Sequence, residues 1–195
     1  FSGFMFSCNS YKSEFVEIDT IATHRNGMEF VSMQECITCH KDIVESHMKT
    51  SHYKTSFKTD ATAFDEMLKT LSNEINLDDG TKIVIKKEGN TLFQDFYVVG
   101  NQTPIYHTPM DITIGSGFRG QSFLYWNEEG LFQNQASVFG TMEGWINSPV
   151  YASQINNTRE VVPRCMECHS SYAAPLESSS NRISNTYDIE NVVLG

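Results

Sequence analysis

The five residues Cys36-Ile37-Thr38-Cys39-His40 return later in the chain as Cys165-Met166-Glu167-Cys168-His169, and this repeated Cys-x-x-Cys-His arrangement constrains the fold more than any other feature. The spacing is the attachment signature of a c-type haem. Two thiols three positions apart, on about one helical turn, can each add to one of the two vinyl groups on the same porphyrin edge. The histidine directly after the second thiol is carried under the ring, where its imidazole ligates the iron. Both copies have the histidine in place, and together they use four of the five cysteines. Two Cys pairs can also make a four-thiolate zinc site, and a single pair can be a redox dithiol. The usual zinc spacing keeps the second pair about 15–20 residues from the first, whereas more than half of this chain separates Cys39 from Cys165. Neither alternative requires a histidine at the next position. Two covalently attached haems c are therefore the expected cofactors.

Composition narrows the partners. Hydrophobic residues make up 39% and charged residues 19%, an ordinary composition for a chain of 195 residues that buries a core as one domain or two small ones. A formal net charge of −10 argues against nucleic acid, which selects basic faces. It favours docking of partners through basic patches. No run of about 20 apolar residues is present, so nothing in the sequence reads as a membrane-spanning helix. The start Phe1-Ser2-Gly3-Phe4-Met5-Phe6-Ser7-Cys8 is apolar, has a small residue before the cysteine, and turns polar at Asn9. It reads as the tail of a bacterial lipoprotein signal, with Cys8 as a lipid-bearing residue that attaches the protein to a membrane; the bland alternative is an unpaired cysteine. Haem attachment at such motifs takes place outside the cytoplasm, which independently points to an exported protein, whether periplasmic, cell-surface or extracellular.

Four segments follow from a pass along the chain. Residues 1–30 read as a signal remnant and an extended leader, and residues 31–60 as the first haem-binding segment, with a helix from Gln34 to about Met48. Residues 61–150 read as a helix followed by a β-rich insert. Phe64, Met67, Leu68, Leu71 and Ile75 have helical spacing over residues 62–77. The runs Lys82 to Lys87 and Leu92 to Val99 flank Glu88-Gly89-Asn90 as a hairpin. Further strand-like runs span Met110 to Ile114, Gln121 to Trp126 and Leu131 to Phe139, separated by glycine turns. Residues 151–195 hold the second motif and a polar tail, with the serine-rich stretch from Glu177 to Asn181 as a loop. The expected fold class is α+β, with haem-bearing helices and loops flanking a small inserted antiparallel β-sheet.

The segments from Ile114-Gly115-Ser116-Gly117 through Gln121-Ser122-Phe123-Leu124, then Gly144-Trp145-Ile146-Asn147-Ser148-Pro149, then Cys165 to His169, resemble a multihaem cytochrome c domain. The family is related to the tetrahaem cytochromes c of ammonia oxidisers and is often joined to helical repeat modules. The resemblance covers about Gln34 to the last residue. Relatives commonly continue past a stretch like Tyr187 to Gly195 into a further Cys-x-x-Cys-His, so the resemblance implies that this chain is a fragment of a longer multihaem cytochrome. It also implies a distal histidine at the position of His52, while the six histidines of the chain would suit two bis-histidine haems with two to spare.

His40 and His169 are the proximal candidates, and His24, His47, His52 and His107 lie outside the motifs. On a continuous helix His47, seven residues past His40, would point the same way and could not sandwich the same haem, though it could ligate a neighbouring one. His107, between Pro104 and Pro109, and His24, in the leader, are lesser candidates. A methionine thioether is a further option. No G-x-S-x-G, H-E-x-x-H or P-loop competes. The sequence thus reads as an exported multihaem c-type cytochrome that carries electrons to redox partner proteins, other cytochromes among them. Two rivals stand beside it: a haem enzyme or sensor subunit with one open coordination position, and a building block of a haem-stacked conductive assembly, for which a homo-oligomer is expected.

Overall fold

A computed structural model describes residues 23–24, 26–128, 130–140, 144–149, 151–176 and 185–195. Cys8, most of the 1–30 leader and the 177–181 stretch lie outside them. A first helix, α1 (Met33–Met48), precedes a short strand, β1 (Ser56–Lys58). One 3-10 turn (Ala61–Phe64) runs into α2 (Asp65–Thr70). Eight strands follow: β2 (Glu74–Asn76), β3 (Lys82–Glu88), β4 (Thr91–Tyr97), β5 (Tyr106–Pro109), β6 (Ile112–Ile114), β7 (Gly120–Asn127), β8 (Gly130–Phe139) and β9 (Trp145–Asn147). Then come α3 (Pro163–His169), β10 (Tyr172–Pro175) and β11 (Tyr187–Val193).

The strands form three antiparallel sheets, ordered β2-β3-β4-β5, β1-β6-β7-β8-β9 and β10-β11. Alternation along each strand decides which residues meet. Ile83 and Ile85 of β3, with Leu92 and Phe96 of β4, turn inward and meet Phe123, Ala136, Val138 and Trp145 of the five-stranded sheet. Phe64 plugs this interface, its ring 5.5 Å from Phe123 and 5.6 Å from Trp145. Leu124 and Trp126 of β7 point to the opposite face. There they join Ile112, Leu131, Val161, Met166 and Tyr187 in a second cluster. The five-stranded sheet is therefore covered on both sides, which is why Phe123 to Trp126 of β7 reads as an unbroken apolar run. Each large apolar side chain buried this way contributes about 1.5–3 kcal/mol.

This architecture corrects the α+β expectation. The β-structure is the body of the protein rather than a small insert, and the helices are short attachments to it: of the three α-helices among the described residues, α2 has 6 residues and α3 has 7. The helix expected over residues 62–77 stops at Thr70. Asn73 Nδ2 donates to the Leu68 carbonyl at 3.0 Å and ends the turn. Ile75 then leaves the helical pattern to pair with Ile83 in β2. Its spacing from Leu71 fits a helix, but burial against the sheet outweighs that local preference. The expected polar tail likewise becomes β10–β11, where Tyr172 pairs with Val193. The hairpin at Glu88-Gly89-Asn90 is present, with Glu88 opposite Thr91.

The glycines of residues 115–120 have a steric cause. Gly115 has φ +102°, and a Cβ there would lie 2.5 Å from the Gly120 carbonyl oxygen. At Gly120 a Cβ would meet the Val138 carbonyl oxygen and the Phe139 ring at 2.9 Å. The segment Trp145–Asn147 and its flanks also gain a role. Trp145 fills the core, and Ser148 Oγ lies 2.5 Å from Ser137 Oγ.

Candidate functional site

The first Cys-x-x-Cys-His motif lies in α1. Cys36, Cys39 and His40 are all exposed, and only Val44 of the helix is buried. His40 itself has non-helical angles, φ −124° and ψ 38°, so the helix is interrupted at the last residue of the motif. The continuity on which the exclusion of His47 depends is thus broken. His47 packs edge-on against Tyr53, with ring centroids 5.6 Å apart.

The second motif is built differently. Pro163 starts α3 at a position where its missing N–H costs nothing. Met166, the residue between the two cysteines, is 2% exposed and anchors the turn in the second core cluster. Tyr187 donates from its hydroxyl to the Val161 carbonyl at 2.7 Å and closes β11 over the start of the helix. Burial pushes the Tyr187 phenol well above its ordinary range. Cys165 and Cys168 remain exposed while His169 is half-buried. Nδ1 of His169 is buried without a hydrogen-bond partner.

The residues following the two motifs meet. Ser171 N–H donates to the Val193 carbonyl at 2.9 Å, and its hydroxyl donates to the Gly195 carbonyl at 2.8 Å. Gly195 N–H in turn donates to Ser56 Oγ at 3.2 Å. His52 lies in the exposed turn just before, its carbonyl accepting from Thr55 N–H at 3.2 Å. His24 also belongs to this region. Its ring lies 4.9 Å from that of Tyr172, and the neighbouring Thr23 N–H donates to Asn191 Oδ1 at 2.7 Å. Asn26 N–H donates to His24 Nδ1 at 3.3 Å. A leader histidine is thus brought beside β10, three residues past His169, which spacing alone did not single out.

His107 is placed elsewhere. It pairs directly with Asp95, on the face of the four-stranded sheet turned away from the core. That face lies two layers from α3, so His107 is not brought to the second motif. Its Nδ1 lies 2.6 Å from Asp95 Oδ1, and its ring stacks on Phe93 at 4.2 Å. Lys86 Nζ donates to Asp95 Oδ2 and to the Tyr97 hydroxyl, and Tyr97 also donates to Asp95 Oδ2 at 3.2 Å. This buried carboxylate hub was missed in the sequence, where Asp95 looks like an interruption of a strand. A single strand does not show which cross-strand cation covers its acid.

The Asp95→Asn variant is expected to lose about 1–3 kcal/mol in urea denaturation at neutral pH, because Lys86 and His107 lose their shared acceptor. Hydrogen bonds from Lys86 to Asp95, and then to Tyr97, hold the lysine above its ordinary value. A raised lysine contributes fully below its unfolded pKa and loses that contribution as pH climbs through the folded one. From neutral pH upward the gap between wild type and variant is therefore expected to persist and then to narrow at strongly alkaline pH.

All four motif cysteines are free thiols. Among the described residues no three His, Cys, Asp or Glu side chains gather as a group that could hold a metal ion. No described helix is long and apolar enough to cross a membrane. Comparison with family models, with curated proteins and with solved structures found no match to this chain.

Proposed function

We propose that this chain is an exported c-type cytochrome domain that holds two haems covalently and carries electrons between redox partner proteins. The observation that carries the reading is the double occurrence of an exposed thiol pair at i and i+3 on one helical turn, each followed by its histidine. The residues fit the group. Both thiol pairs are free and accessible for thioether formation. Val31 and Ile43, beside the first motif, stand 71% and 68% exposed and offer an apolar surface that a porphyrin would cover. The unpartnered Nδ1 of His169 leaves that ring free to turn its other nitrogen to an iron.

When bound, haem supplies one-electron exchange at its iron. Cys36 and Cys39, and Cys165 and Cys168, fix the position of each ring through thioether bonds. His40 and His169 would each hold an iron. His24, His47 and His52 lie near the attachment segments as candidate further donors, which would leave the group to exchange electrons without taking up another ligand.

The test is an absorption spectrum of protein expressed with haem-maturation machinery. Two haems per chain by pyridine haemochrome, with low-spin bands unmoved by carbon monoxide on the reduced protein, are expected. Bands that shift with carbon monoxide would transfer the reading to a haem enzyme or sensor. Absence of covalent haem would sink it.

A further inference from the structure

The two attachment segments differ in three ways that act on an iron in the same direction. The first is the hydrogen bond of the axial imidazole. A ligating histidine that donates its second N–H to an acceptor becomes more basic, which stabilises ferric iron. Nδ1 of His169 is buried and has no partner. The Met166 carbonyl, one turn back, accepts from Ser170 N–H at 2.9 Å and from the Ser170 hydroxyl at 2.7 Å, so both of its lone pairs are in use. His40 is exposed, and water can accept its N–H.

Burial is the second difference. The helix α3 is seated through Met166 in an apolar cluster with Val161 and Tyr187, whereas α1 buries only Val44. Apolar surroundings disfavour the extra positive charge of ferric iron, and water favours it.

Charge is the third. The first motif is flanked by Glu35, Asp42 and Glu45 against a single Lys41, whose Nζ lies 3.7 Å from Glu45. Along α3 itself Arg164 and Glu167 balance each other at 3.3 Å. An uncompensated acidic surface around the first motif holds the oxidised state there.

We infer that the two haems are unequal, with the one held by His169 at the higher reduction potential and the one held by His40 at the lower. The inference rests on haem attachment at both motifs. It gives the domain a polarity: the solvent-facing group at α1 is the donor within the pair, and the seated group at α3 is where the first electron rests.

The experiment is a potentiometric titration of the holoprotein, after pyridine haemochrome has counted its haems. Two separate one-electron waves are expected. His40→Met replaces an exposed side chain, and a thioether ligand raises the potential, so in that variant the lower wave is expected to rise while the upper wave stays. His169→Met is expected to move the upper wave instead. Should either methionine variant fail to accumulate, the one-haem proteins C36A/C39A and C165A/C168A give the same order, with the former titrating at the higher potential. Coincident waves, or an upper wave that follows His40→Met, overturn the inference and leave the haem reading intact. A haem count of zero overturns both.

Discussion

Replacing Cys36 and Cys39 together by alanine is expected to halve the covalent haem per chain while leaving the fold standing. The first motif can be lost cheaply because α1 contributes one buried residue, Val44, to the protein. Exposed thiols changed to alanine remove no core contact, and such surface changes stay within about 0.5 kcal/mol. Pyridine haemochrome and thermal unfolding of the same preparation read both quantities. The C165A/C168A pair is expected to halve the haem count as well, again with little loss from the thiols themselves, since they too are exposed. Removing Met166 instead, the residue between them, withdraws the anchor of α3 and costs about 2–5 kcal/mol. A C36A/C39A variant that kept its full haem count would show that attachment does not run through these thiols. One that unfolded would show that α1 matters to the body in a way its burial does not indicate.

Gly115→Ala is expected to cost about 2–5 kcal/mol. Two effects act together. The backbone at φ +102° is a region L-residues avoid, and the new Cβ would lie 2.5 Å from the Gly120 carbonyl oxygen, an atom fixed by the sheet. Gly89→Ala is the control. Gly89 also has positive φ, at +60°, but nothing lies within 4 Å of its added Cβ, so only backbone strain of about 1–2 kcal/mol applies. Urea denaturation of the two variants separates the contributions. Equal losses would mean that the contact with Gly120 relaxes freely.

The middle of the chain was legible where local pattern and tertiary packing agree. Alternation in Lys82 to Lys87 and the Gly89-Asn90 turn fixed a hairpin that the structure reproduces strand by strand. The helix at the first motif was equally plain. Failure came where a residue serves two patterns at once. Ile75 has helical spacing from Leu71 and also strand alternation with Ile83, and only the presence of β3 decides between them. Val192 and Val193 look like the end of a polar tail until Tyr172 and Ala173 supply a partner strand from across the second motif. The two Cys-x-x-Cys-His runs could be read directly because each is contiguous in the sequence. The place of His24 against Tyr172 could not, since it depends on Thr23 reaching Asn191, a hydrogen bond spanning 168 residues.

The hydrogen bond from Gly195 to Ser56 joins residues 139 apart in sequence. The strand β1 likewise waits for β6 before it has a partner. Closure of the body is thus a late event on a growing chain, because long-range strand pairing needs both ends present. The helix α1 needs only its own local bonds. The thiols at 36 and 39 therefore sit on an element that does not wait for the sheets, whereas those at 165 and 168 sit on one that β10 and β11 must pair to enclose.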